Sequence, residues 1–172
     1  MSNKIPQVSV GMPVYNGERF LRQSLDSILA QTFKDFELLI SDNASSDRTQ
    51  DICREYAQKD RRIRYMRNPI TLGATRNYNR LVELSSGRYF RWAPADDLFA
   101  PTSLERCVAT LERNEDVVLC YPKTILIDGS GNRIEPYEDK LDLRSPDPSE
   151  RFRQVLQIGR ANALYGLMRS DI

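Results

Sequence analysis

Val8, Val10 and Met12 alternate with smaller or polar residues over 7–12, the period of a strand. PVYNG (13–17) follows as a loop. From 18 to 30, Leu21, Leu25, Ile28 and Leu29 recur at helical spacing and predict an amphipathic helix. FELLIS (36–41) is a short apolar run of the kind a buried strand shows. It stops at DNASSD (42–47), a loop in which Ser46 or Asp47 is placed to cap the next helix. That helix, 48–59, carries Ile52, Cys53, Tyr56 and Ala57 on one side. A strand at 63–66 and a loop at 68–73 come next. A helix over 74–84 is then expected, with Tyr78, Leu81 and Val82 inward and Gly87 ending it.

The second half begins with a strand at 89–93, closed by Pro94, and a loop holding Asp96 and Asp97. Beyond Pro101, residues Leu104, Cys107, Val108 and Leu111 stand at i, i+3, i+4 and i+7 of a helix. Residues 117–121 and 125–127 are strand-like, and DGSGN (128–132) reads as a hairpin turn. The polar, proline-containing stretch 135–148 reads as a loop, 150–157 as a short helix and 163–168 as a strand. Regular alternation of strands and helices argues an α/β domain with a mostly parallel sheet. Such folds bind ligands beyond the carboxyl ends of their strands. Tyr15-Asn16, Asp42-Asn43 and Asp96-Asp97 each follow a strand, so the three clusters can meet in one crevice.

Composition narrows the chemistry. The 172 residues carry 25 Lys and Arg against 24 Asp and Glu, so no basic field exists to hold nucleic acid non-specifically. There is no histidine, which excludes Ser-His-Asp and Cys-His nucleophiles and histidine-bound metals. Cys53, Cys107 and Cys120 are far apart in the chain and form no CxxC pair; they are read as buried free thiols of a reducing compartment. No apolar run is long enough to span a membrane, so no transmembrane segment is expected. A P-loop motif is missing, and the one GxG, Gly129-Ser130-Gly131, lacks the third glycine of a dinucleotide fingerprint. The basic run 61–67 reads as the exposed face of an edge strand. Arg151, Arg153 and Arg160 around Phe152, Val155 and Leu156 suit a helix packed on the core or one lying on a membrane surface.

Two adjacent carboxylates, Asp96 and Asp97, repel each other and call for donors or a hard cation such as Mg2+ or Mn2+. A helix cap beside a solvated carboxylate is the other reading. Asp42 or Asn43 could hydrogen-bond a base or sugar, or serve only a turn. Tyr15 offers a ring for stacking on a base, or packs half-buried. Arg76, in the first turn of a helix, suits a phosphate or is an ordinary surface arginine.

Four stretches in this order, VSVGMPVYNGERFLRQSLDSILAQTF (8–33), FELLISDNASSDRT (36–49), NPITLGATRNYNRLVELSSGRYF (68–90) and WAPADDLFAP (92–101), resemble the family 2 glycosyltransferases. The resemblance covers about residues 7–127. It implies the GT-A fold, a three-layer α/β/α sandwich with a mostly parallel central sheet. It also implies a nucleotide-diphospho-sugar donor, a UDP-sugar by default. Pro13, Val14 and Tyr15 match the loop lining the base, and Glu18 the acidic residue after it. Asp42 and Asn43 match a base-reading acidic pair whose second member is Asn here. Arg76 matches a basic position near the diphosphate. Asp96 and Asp97 match the metal-binding motif, Asp96 facing ribose or metal and Asp97 the Mn2+ or Mg2+; Pro94 replaces its first carboxylate.

The implied reaction is a metal-assisted, inverting displacement onto a saccharide or lipid-linked acceptor, with a carboxylate as general base. That base is expected beyond Ile172, because Asp171 comes too early. The chain is therefore expected to be one domain, 1–172, with a nucleotide-sugar-binding core at 7–127 and an incomplete acceptor half at 128–172. Its turnover is in doubt, and an uncovered sheet edge would invite self-association. Cell-surface polysaccharide synthesis, in the cytoplasm or at the inner membrane surface, is the expected setting. Two other functions fit the fold: a nucleotidyltransferase, and a non-catalytic nucleotide- or carbohydrate-binding module.

Overall fold

In β1 (Val8–Val14) every residue is buried, as a central strand of a parallel sheet must be. The computed structural model describes residues 5–138, 141, 143–157 and 162–170. After β1 come α1 (Leu21–Leu29), β2 (Phe36–Asp42), α2 (Thr49–Lys59), β3 (Ile63–Arg67), α3 (Ala74–Glu83), β4 (Tyr89–Trp92), α4 (Ser103–Arg113) and β5 (Leu119–Cys120). Then follow β6 (Thr124–Ile127), β7 (Arg133–Tyr137), α5 (Pro148–Val155), a 3-10 helix (Asn162–Tyr165) and β8 (Leu167–Arg169). The chain divides into two compact units, one of Met1–Cys120 with Leu167–Ile172, the other Tyr121–Gly166.

The larger unit holds a six-stranded sheet in the order β3-β2-β1-β4-β8-β5. β3, β2, β1 and β4 are parallel; β8 runs antiparallel between β4 and β5. Alternation within the strands sorts two cores. Val8, Val10, Met12 and Val14 with Leu38 and Ile40 face Leu21, Leu25 and Ile28 of α1, Ile52 and Cys53 of α2, and Leu104, Cys107, Val108 and Leu111 of α4. Leu39 and Phe90 face Leu81 of α3 on the other side. This is the mostly parallel α/β sandwich the sequence predicts.

Several local expectations are corrected. Pro13 and Val14 continue β1 rather than opening a loop. At its end β1 has outrun β4, because Ala93 N donates to Gly11 O and the β1–β4 register stops at Gly11 opposite Trp92. Pro13 faces that vacated side, so its missing N–H costs no ladder bond. On α3, Val82 is 43% exposed, and Asn77 takes the inward place beside Leu81. Residues 135–137 pair in β7 rather than forming a loop, and 163–168 split between the 3-10 helix and β8. Arg160 and Asp171 lie outside the described residues.

Gly87 does not act as a left-handed helix cap; it sits where β1 passes. A Cβ there would meet Ser9 N at 2.6 Å and the Val8 carbonyl carbon at 2.8 Å. Beside it Ser9 Oγ accepts from Ser86 N and Gly87 N and donates to Glu37 Oε1 at 2.7 Å. Gly87→Ala therefore overpacks a backbone contact. It is expected to cost about 2 kcal/mol, read as a fall of several degrees in thermal midpoint.

Glu37 is held below the usual carboxylate range. Burial opposes its charge, but Ser9, Ser86 and Arg64 together outweigh that. A depressed folded pKa stabilises the fold above the unfolded value and is lost as pH falls through the folded one. Denaturant titrations should show part of the stability at pH 6 missing below pH 4.5, and Glu37→Gln should flatten that loss.

In the smaller unit β6 and β7 form an antiparallel hairpin. Its turn is closed by Asp128, whose carboxylate accepts from Ser130 N and Asn132 N, with Gly131 at φ 82°. Pro148 opens α5, and Asp147 caps it by accepting from Ser149 N.

Candidate functional site

The sheet order changes direction at β1, which has the earlier strand β2 on one side and the later strand β4 on the other. Loops leaving two such strands diverge to opposite faces and open a crevice between them. Here that crevice is a cleft of about 330 Å³, lined by Pro13, Val14, Tyr15, Asn16, Gly17, Arg19, Phe20, Tyr78, Pro94, Ala95 and Asp96. Of the residues singled out in the sequence, Pro13, Val14, Tyr15 and Asp96 line it.

The first wall is a loop pinned from outside. Asn16 adopts φ 50°, and its N–H donates to Ser45 Oγ while its Oδ1 accepts from Ser46 N. Gly17 N donates to Thr49 Oγ1 and Glu18 N to Asp47 Oδ2. Glu18 Oε2 accepts from Arg48 N, so this carboxylate serves the start of α2 rather than the cleft. Asp47 also accepts from Thr49 N, but the N-cap position of α2 falls on Arg48 and has no side-chain cap, so Asp47 serves the first helical N–H from one position further out. With the backbone so held, the Tyr15 ring is left 59% exposed at the cleft.

The second wall is the loop 93–102, held by polar residues of α1 and of the turn just after it. Ser24 Oγ donates to Pro94 O, Ser27 Oγ accepts from Phe99 N, and Gln31 donates to Ala100 O while accepting from Leu104 N. Ser24 stands on the buried stripe with Leu21, Leu25 and Ile28, Ser27 flanks it, and Gln31 follows its line past the helix end. Polar positions interrupting that stripe were the one sequence signal of a loop docked against α1. Asp97 follows Asp96 on this loop but does not line the cleft. Partial enclosure pushes its carboxyl above the ordinary range, and the charge of Asp96 adds to this; Arg91 opposes both.

Asp42 and Asn43 are brought near but are otherwise engaged. Asp42 is fully buried: one carboxylate oxygen accepts from Ser45 N at 2.8 Å, the other from the Tyr65 hydroxyl at 2.8 Å, with Arg67 Nε at 3.5 Å. Asn43 Oδ1 accepts from Leu72 N and Asn68 Nδ2, and its Nδ2 donates to Thr71 Oγ1. The pair builds the loop 68–72, with both Asn43 lone pairs spent inside the protein. Arg76, in the first turn of α3, is exposed. Arg19 and Tyr78 line the cleft without having been singled out; an arginine two residues ahead of α1 and a tyrosine beside core positions carry no local mark of a site.

Among the described residues no three Asp, Glu, Cys or His side chains cluster as a metal cage. The acidic loop still fits a hard divalent ion. Mg2+ is commonly held by one or two carboxylates with the remaining ligands from substrate phosphates and water. Two adjacent carboxylates, one of them resisting its charge, supply that donor set.

The sequence profile described as Glycosyl transferase family 2 matches residues 9–164. An uncharacterized glycosyltransferase of Methanocaldococcus jannaschii is 36% identical over 135 residues, 77% of this chain and 47% of that protein. The chain spans no more than about half the length of the curated relatives it matches. Among solved structures, S. aureus TarS residues 1–349 with UDP-GlcNAc superposes over 70% of this chain and 33% of that one, at TM-score 0.60 and 22% identity. A mannosyltransferase from Pyrobaculum calidifontis, in complex with GDP-Man and Mn2+, superposes over 68% of this chain and 35% of that one, at TM-score 0.61 and 24% identity. Both share the fold.

Proposed function

Because the chain belongs to glycosyl transferase family 2, we propose that its cleft takes a nucleotide-diphospho-sugar, a UDP-sugar first. The transfer proposed for the whole protein is an inverting one, onto a saccharide or lipid-linked acceptor. The observation that carries the reading is the meeting of an exposed aromatic, Tyr15, with Asp96 across one cleft at the point where strand order reverses. The nucleotide sugars in the TarS and Pyrobaculum structures support the donor class.

In this reading Pro13 and Val14 floor the base site and Tyr15 stacks on the base. Asp96 faces the ribose or the metal, and Asp97 with Asp96 holds Mn2+ or Mg2+. Arg76 approaches the diphosphate from the start of α3, where helix N–H groups favour anions. Asp42, Asn43 and Glu18 act through the loops they build. A bound cation would neutralise charge on the departing nucleoside diphosphate. No described helix is long and apolar enough to cross a membrane; peripheral work at the inner membrane surface belongs to the proposal.

The test is calorimetric titration with UDP, dTDP, GDP and ADP, with and without Mn2+. Metal-dependent binding of UDP is expected; a folded chain that binds none of the four overturns the reading. Tyr15→Ala should weaken UDP about tenfold, since stacking on an aromatic is worth roughly 1–3 kcal/mol per base. The exposed ring contributes little to the fold, so the melting temperature should not move. An unchanged UDP affinity would remove Tyr15 from the base site.

A further inference from the structure

Arg19 is a cation on the cleft wall with no protein anion to answer it. Of the residues lining the cleft, only Arg19 and Asp96 carry charge. The Arg19 guanidinium lies 4.6 Å from the ring centroid of Phe20, which lines the cleft as well. Its side chain makes no hydrogen bond or ion pair with another described residue. Other arginines nearby in the fold are spent: Arg22 pairs with Glu55 at 2.6 Å, and Arg67 reaches Ser45 O and Asp42. Contact with an aromatic face uses the flat side of a guanidinium and leaves the N–H fork at its edge open.

The backbone on either side of Arg19 is fixed. Gly17 N and Glu18 N are anchored to Thr49 and Asp47. Gly17 O accepts from Phe20 N at 3.1 Å and from Leu21 N at 3.0 Å. Gly17 also packs closely, since a Cβ there would meet Val14 Cγ2 at 2.7 Å. This turn sets the Cα of Arg19, so a ligand would have to order only the side chain. Charge balance then defines its use. In the proposed site the carboxylates of Asp96 and Asp97 together offset a divalent ion, leaving that wall near neutral toward phosphates. Arg76 is exposed on α3 and is not among the lining residues. Arg19 is the positive charge the cleft wall itself offers.

We propose that Arg19 is a phosphate-binding residue of the cleft, its guanidinium taking two phosphate oxygens of a nucleoside diphosphate as a bidentate pair. The proposal rests on the nucleotide-sugar reading and adds to it a contact that neither Tyr15 nor the acidic loop supplies. Tyr15 would meet the base and Asp96 the ribose or the ion; Arg19 meets the anionic oxygens between base and sugar. Bidentate pairing of this kind is stronger than a neutral hydrogen bond and fixes orientation as well as charge. A lysine keeps the charge but not the fork.

The experiment titrates the parent chain and Arg19→Gln with UDP, with and without Mn2+, and with uridine and inorganic pyrophosphate in metal-free buffer. Arg19→Gln should weaken UDP and pyrophosphate about tenfold, equivalent to about 1.4 kcal/mol, and leave uridine within about twofold. Arg19→Lys should recover part of the loss. The melting temperature should not move, because the side chain is exposed and unpaired. Added NaCl should weaken UDP more steeply in the parent than in Arg19→Gln. A folded Arg19→Gln chain that binds UDP like the parent overturns the proposal and leaves the donor reading standing. So does an equal fall for uridine and UDP, which would place Arg19 at the base or the loop rather than at phosphate. A parent that binds pyrophosphate through Arg19 but no UDP overturns the donor reading and leaves the anion site standing. A folded parent that binds neither overturns both.

Discussion

Asp97→Ala is expected to abolish the metal-dependent part of nucleotide binding. UDP affinity in saturating Mn2+ should fall about 100-fold or more, equivalent to about 2.7 kcal/mol, while the weaker affinity without metal stays as it was. The reason lies in how few oxygen donors the loop has. In the proposed site Pro94 stands where the family motif carries a further carboxylate, and among the described residues no third acidic or thiol side chain gathers with Asp96 and Asp97, so these two are the acidic donors of the loop. Removing one leaves a single carboxylate against a hydrated divalent ion. Stability should hold or rise slightly, because the Asp97 carboxyl is disfavoured by enclosure and by Asp96 before any ion arrives. Matched titrations of parent and variant with and without Mn2+ check this. An unaltered metal dependence would remove Asp97 from the site.

Asp42→Ala should instead unfold the protein more easily. The change strands Ser45 N, the Tyr65 hydroxyl and the Arg67 guanidinium around a fully buried position. Breaking a buried charged network by removing one partner costs about 3–5 kcal/mol. At roughly 2–4 °C per kcal/mol for a domain of this size, the thermal midpoint should drop by about 10 °C. Tyr65→Phe removes one donor alone and should cost about 1 kcal/mol. A chain with Asp42→Ala that melts like the parent yet loses UDP would show the carboxylate meeting ligand rather than the loop.

These two aspartates mark how far the sequence could be read. Asp42 closed a strand and Asp97 stood in the loop after one, both belonged to small polar clusters, and both matched acidic positions of a known family. Nothing local separated them. Asp96 remained at the crevice, with Asp97 exposed next to it on the same loop, because the loop 93–102 is held by its backbone, through Ser24, Ser27 and Gln31. Asp42 was consumed because β3 places Tyr65 and Arg67 against it. Asn43 was likewise consumed by the returning chain at Leu72.

The elements themselves were legible. Period two and period 3.6 are properties of consecutive residues, and they located the strands and helices of the larger unit through α4 to within a few positions. The alternation of those elements set the parallel sheet, since a parallel neighbour needs a crossover that a helix supplies. By itself, then, the sequence determined a strand-helix alternation, the sheet it builds and the loops from which a site could be made. Only the tertiary structure decided that β8 inserts between β4 and β5, that Gly87 yields space to β1, and that Asp42 is consumed by Tyr65 and Arg67 while Asp96 lines the cleft. Each of those outcomes is an exchange of hydrogen bonds or volume between residues dozens of positions apart. Periodicity along the chain carries no record of such partners, because it reports which face a residue turns inward and not what it finds there.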